Sequence, residues 1–159
     1  MVSEDDVRRT DEALSGMTEK DTRKLIRSFQ KKQEPLLVYI AAVIEREGLN
    51  EEEQDLLTTA TILSWRIIQD AFPKLKKVTM EEIEAADNKL FSTLEKFDEM
   101  NENQQMHFGT KVLAEYPERE LLGYLSEKVV AAEDIREDAR GLIFLVLKNV
   151  LDLLIQARN

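Results

Sequence analysis

The sequence predicts an all-α chain, a single-domain helical bundle of six to seven helices with the C-terminal helix at its centre. Three observations lead there. No stretch alternates apolar and polar residues for long enough to make a strand. Glycines and prolines are few, five and three, as suits helices with short connections better than many short strands. The third is the stretch from Gly141 to Gln156, GLIFLVLKNVLDLLIQ, which is apolar over well over half of its helical circumference. A helix of that kind must touch protein on more than one side. Lys148 and Asp152 interrupt the run, and it falls short of the ~20 apolar residues of a membrane span. It therefore reads as a core helix and not as a membrane anchor.

Composition narrows the class of function. At 159 residues the chain is long enough for one domain with a substantial core. Its net charge of -10 opposes duplex nucleic acid or an anionic membrane as the main partner, since both reward basic surfaces. Without cysteine there is no disulfide, thiolate metal site or cysteine nucleophile. The opening MVSEDDVRRT has no apolar segment of the secretory kind, which makes the cytoplasm the default location.

In chain order, residues 1–16 read as a weakly anchored arm or short helix. Ser3 is its N-cap, but only Val7, Ala13 and Leu14 are apolar. Residues 17–159 read as the bundle. Thr18 caps a helix running to about Gln33, with Leu25, Ile26 and Phe29 on one side. Lys20, Arg23, Lys24, Arg27 and Lys31 lie on the other side. These cations form either a docking face for an acidic partner, RNA included, or a solvated face paired with the chain's own acids.

Pro35 opens the next helix, with Leu36, Leu37, Ile40, Val43 and Ile44 as its buried stripe and Gly48 at its end. Asn50 and Glu53 make a capping box for a long helix to Phe72. Thr61, Ser64 and Trp65 fall within its apolar arc. They either line a small-molecule pocket or pack closely against a neighbouring helix, with the hydroxyls bonded to carbonyls one turn earlier.

Pro73 stops that helix, and Lys74, Lys76 and Lys77 form a basic loop. Thr79 and Glu82 make a second capping box, with Val78 and Ile83 at the hydrophobic-staple positions, for a helix to about Met100. Helices follow over about Gln104–Tyr116 and around Leu121–Val129. The acidic run Glu133, Asp134, Glu137 and Asp138 leads into the apolar C-terminal helix. Two segments, Leu36-Leu37-Val38-Tyr39 and Leu121-Leu122-Gly123-Tyr124, share the form LLxY after a proline. They suggest an internal duplication of three-helix units, or else the ordinary likeness of leucine-rich helices.

One constellation suggests chemistry. Glu84, Asp87, Glu95 and Asp98 lie on one flank of the Met80–Met100 helix as two E-x-x-D pairs, with no Lys or Arg among them. Carboxylates at that spacing suit Mg²⁺, which takes oxygen ligands. The pattern resembles the acidic helices of the all-α nucleotide pyrophosphohydrolases of the MazG and dUTPase kind. That resemblance implies Mg²⁺ held against nucleotide phosphates by acidic pairs on neighbouring helices. Here both pairs share one helix, about 16 Å apart, and need acids from elsewhere, such as Glu133, Glu137 or Asp138. His107 is the lone histidine and reads as a surface or cap residue.

The leading expectation is a non-catalytic interaction or scaffold protein acting through protein–protein contacts. Self-association as a homodimer is suggested by Leu145, which stands on the polar sector of the C-terminal helix. A Mg²⁺-dependent nucleotide hydrolase and a small-molecule-binding bundle are the alternatives.

Overall fold

Most helices begin where a short polar side chain can take the first free backbone amides. In the computed structural model, which describes residues 1–158, Ser3, Thr18, Asn50, Thr79 and Asn101 each accept from the amide three residues on. In four of these the third residue reaches back to the cap's own amide: Asp6, Glu53, Glu82 and Gln104. The resulting elements are α1 (Glu4–Ser15), α2 (Glu19–Lys32), α3 (Glu34–Glu47), α4 (Glu51–Ala71), α5 (Met80–Glu99), α6 (Glu102–Glu115), α7 (Arg119–Ala131) and α8 (Glu137–Gln156). The described residues thus form eight helices and no strand, against an expected six or seven. The first short segment is a full helix. The helix expected from about Gln104 begins at Glu102, because Asn101 caps it. Gly48 ends α3 at φ +58, a left-handed conformation that favours glycine.

The core is built on α8. Ile143, Val146, Leu147, Val150, Leu151 and Leu154 are fully buried, and the helix packs against α4, α5 and α7. In its turn α4 packs against α1, α2 and α3. Leu145, expected at a self-association surface, is only 5 % exposed and packs within the chain's own core, at the border of the two grooves beside α6. At the other end of the chain, Val2 and Val7 are buried, and α1 lies on α4 and α7. The Val2 amide donates to the Glu118 carboxylate at 2.8 Å.

Distant segments are tied together by acids. Each of the three tyrosines donates its hydroxyl to an aspartate that also pairs with a cation: Tyr39–Asp87–Arg46, Tyr116–Asp152–Lys148 and Tyr124–Asp11–Lys128. Two glutamates, Glu53 and Glu118, are wholly buried and are met by Arg136 at 2.9 Å and Arg158 at 2.6 Å. A buried carboxylate needs such partners, because desolvation without them costs several kcal/mol.

The two LLxY segments fall in α3 and α7 but have different surroundings. Tyr39 is buried and also accepts from Asn149, whereas Tyr124 is half-buried and reaches α1. The preceding helices differ as well, since α2 buries Leu25 and Phe29 and α6 buries no residue. Equivalent three-helix units are therefore not evident in the packing of the described residues. Among those residues, no helix is long and apolar enough to cross a membrane.

Candidate interaction face

Among the described residues, the arginines of α2 stand apart from the chain's other arginines. Leu25 and Phe29 fix the inner side of the helix, and the Phe29 ring lies tilted against Trp65 with centroids 5.3 Å apart. Beyond its C-terminus, the buried Gln33 side chain donates to the Lys76 carbonyl and accepts from the Val78 amide, both at 2.9 Å. That double bond brings the loop carrying Lys74, Lys76 and Lys77 up to the end of α2. Opposite Leu25 and Phe29, Lys20, Lys24, Arg27 and Lys31 recur at spacings of four, three and four, with Arg23 beside them. The stripe is about 16 Å long. All five residues are exposed, as are Lys32, Lys74, Lys76 and Lys77.

Pairing sharpens the distinction. Arg8, Arg9, Arg46, Arg66, Arg119, Arg136, Arg140 and Arg158 each have a carboxylate partner. Among the described residues, Arg23 and Arg27 are the arginines without one. The five-donor fork of arginine is suited to carboxylate or phosphate, so two neighbouring unpaired arginines mark a surface with free binding capacity.

Next to α2 lies α3, which contacts both α2 and α5. Its buried side carries Leu36, Tyr39, Ile40 and Val43; its outer side exposes Val38, Ala41, Ala42 and Glu45. Past α3 comes the acidic flank of α5. Glu84, Glu95 and Asp98 are exposed, and Phe91 between them is 40 % exposed beneath the Arg46 guanidinium, 4.7 Å from the ring centre. Asp87 is engaged within the fold, accepting from Arg46 and from the Tyr39 hydroxyl, both at 3.1 Å. The cation missing from this flank in the sequence thus arrives from α3. Among the described residues, no three His, Asp or Glu side chains gather as a metal-binding group. Glu133, Glu137 and Asp138 are exposed around the start of α8, and His107 is exposed on α6.

No family model, curated protein or solved structure matches the chain.

The remaining expected site lies deep inside. Thr61, Ser64 and Trp65 are buried, and the two hydroxyls donate to the Leu57 and Ala60 carbonyls at 2.7 and 2.8 Å. The indole Nε1 of Trp65 has no hydrogen-bond partner. Two surface grooves flank α6, of about 750 Å³ against α5 and about 510 Å³ against α7, and none of these three residues lines either. In the larger groove, Asp152 and Asn149 already have partners. Asp152 is held by Lys148 at 2.9 Å and by the Tyr116 hydroxyl, and Asn149 donates to the Tyr39 hydroxyl at 3.0 Å.

Burial pushes the Tyr39 and Tyr116 phenols well above their ordinary range. Burial and the Asp11 hydrogen bond raise Tyr124 to about 12. At neutral pH all three remain hydrogen-bond donors, a holding role.

Sequence reasoning found the α2 stripe but not that Gln33 ties the loop of Lys74, Lys76 and Lys77 to the end of α2. It also passed over the outer side of α3. The signal there was Val38, Ala41 and Ala42 at one-turn spacing opposite the buried stripe.

Proposed function

We propose that this chain is a non-catalytic helical interaction module that docks an acidic protein segment on the basic stripe of α2. The observation carrying the proposal is the unpaired state of Arg23 and Arg27 in a chain with 32 acidic residues. Lys20 and Lys24, and Arg23 and Arg27, are like charges one turn apart, which weaken a helix by a few tenths of a kcal/mol. An acidic partner relieves that repulsion and satisfies the guanidinium donors.

The setting of the stripe favours a short peptide segment over other polyanions. It is one helix wide and about 16 Å long, and beyond it the chain is strongly acidic. A nucleic-acid backbone running past its ends meets repulsion. A bilayer is disfavoured because Leu25 and Phe29 are already buried, which leaves Ile26 as the single exposed large apolar residue of α2. A helix with carboxylates at three- and four-residue spacing matches both the length and the pattern.

The test is a calorimetric titration with a helical peptide carrying glutamates at that spacing. Trp65, the lone tryptophan, packs on Phe29 of α2 and supplies a parallel fluorescence readout. The expected result is binding that falls at least about tenfold in the double variant Arg23→Glu, Arg27→Glu. A silent peptide titration alongside tight binding of single-stranded RNA or anionic vesicles would overturn the proposal.

A further inference from the structure

We infer that the acidic segment taken by α2 is α5 of a second copy of this chain, in a twofold dimer centred on α3. The inference rests on the docking reading above and names its partner.

A twofold interface must be self-complementary, each copy supplying both halves of every contact. The face formed by α2, α3 and α5 has that property. α2 carries the basic stripe and α5 the acidic flank, and both helices contact α3. A twofold axis through the outer side of α3 lays the basic edge of each copy on the acidic edge of the other. The acidic flank is long enough for the stripe, since Lys20 and Lys31 are eleven residues apart, about 16 Å, and Glu84 and Asp98 fourteen, about 21 Å. Antiparallel pairing sets both charged ends against opposite charge at once.

The centre also fits. Val38, Ala41 and Ala42 are small and exposed, allowing two α3 helices to approach at the near end of the usual 8–10 Å range. The acidic edge carries one exposed large apolar residue within its charges, Phe91 at 40 %, while Ile26 of α2, 39 % exposed, lies off the basic stripe. With Val38, Phe91 gives the face an apolar contribution beside the exposed Glu45 of α3.

Charge reversal with partner mixing tests this. Light scattering on the wild-type chain is expected to give twice the 18.4 kDa chain mass. The variant Arg23→Glu, Arg27→Glu makes both edges acidic, and Glu84→Lys, Glu95→Lys makes both basic. Each alone is expected to be monomeric while keeping its helical circular dichroism, because all four side chains are exposed. An equimolar mixture is expected to recover the dimer mass, since reversed α2 then meets reversed α5 and wild-type meets wild-type. Val38→Arg, at the centre, is expected to weaken wild-type association at least about tenfold.

A dimer that persists in both reversed variants overturns the inference. So does a mass that keeps climbing past the dimer with concentration, the mark of head-to-tail contact. A wild-type chain that is monomeric at about 1 mM yet binds the acidic peptide overturns the dimer and leaves the docking reading standing. Failure of both association and peptide binding overturns both.

Discussion

Arg158 and Arg27 belong to the same acidic chain under opposite conditions. The guanidinium of Arg158 is 2.6 Å from the buried Glu118 and lies over the Phe72 ring, with its side chain 19 % exposed. Arg27 is exposed and meets no carboxylate among the described residues. The contrast extends to their surroundings. Around α1, α7 and α8, Tyr124 holds Asp11 beside Lys128, and Arg140 donates to the carbonyls of Val129, Val130 and Ala132 at the end of α7. On α2 and the lysine loop, nine cations project without a pair among the described residues. Charges of the first kind are part of the fold, and removing one strands a buried partner. Charges of the second kind contribute little to folding and remain free for a partner.

Substitutions on the tied side should break this contrast most strongly. Glu118→Ala strands both Arg158 and the Val2 amide and is expected to cost about 3 kcal/mol in denaturant unfolding. A loss within about 0.5 kcal/mol would mean that this buried acid is not holding the termini together.

Next in size is Glu53, and here pH is the probe. Hydrogen bonds from the Arg136 side chain hold its carboxyl at about 2, well below the ordinary 4.5. A folded-state pKa depressed in this way stabilises fully above the ordinary value, and that contribution is lost as pH falls from 4.5 through about 2. Wild-type stability should drop across that acid window. Glu53→Gln should be less stable at neutral pH by about 1–2 kcal/mol and show a flatter acid limb. An unchanged acid limb would remove Glu53 from the account.

A smaller effect is expected of Tyr124→Phe, which removes one hydrogen bond to Asp11 while leaving the ring under Lys128, about 1 kcal/mol by thermal or denaturant unfolding. The wild-type phenols give a companion test. All three have folded pKa values above the ordinary 10, so tyrosinate absorbance should not rise near pH 10 while the chain is folded. Their contribution is complete below pH 10 and declines as pH rises through the folded values, so stability should fall in that direction. Tyrosinate appearing at pH 10 with native circular dichroism would contradict the three tyrosine–aspartate pairs.

The contrast also explains what the sequence could reveal. Capping boxes at Asn50–Glu53 and Thr79–Glu82 are three residues wide and were legible as they stand. So was the apolar character of the last helix, where one face after another is hydrophobic. The α2 stripe was legible for the same reason, being a one-turn periodicity. The ties were not. Asp11 meets Tyr124, Glu53 meets Arg136 and Asp87 meets Arg46 across long stretches of chain, and no local pattern announces such pairs. Glu53 was read as half of a cap, with its second task hidden. Leu145 was misleading for a related reason, because a helical wheel records the neighbours within a helix and not the helices that cover it.

The most direct measurement pairs unfolding and binding in one variant, Arg23→Glu with Arg27→Glu, against wild type. The account predicts stability within about 0.5 kcal/mol of wild type and affinity for the acidic helical peptide reduced at least about tenfold. A variant destabilised by more than about 2 kcal/mol that still binds the peptide at wild-type affinity would contradict it, placing the α2 cations among the charges that hold the fold together.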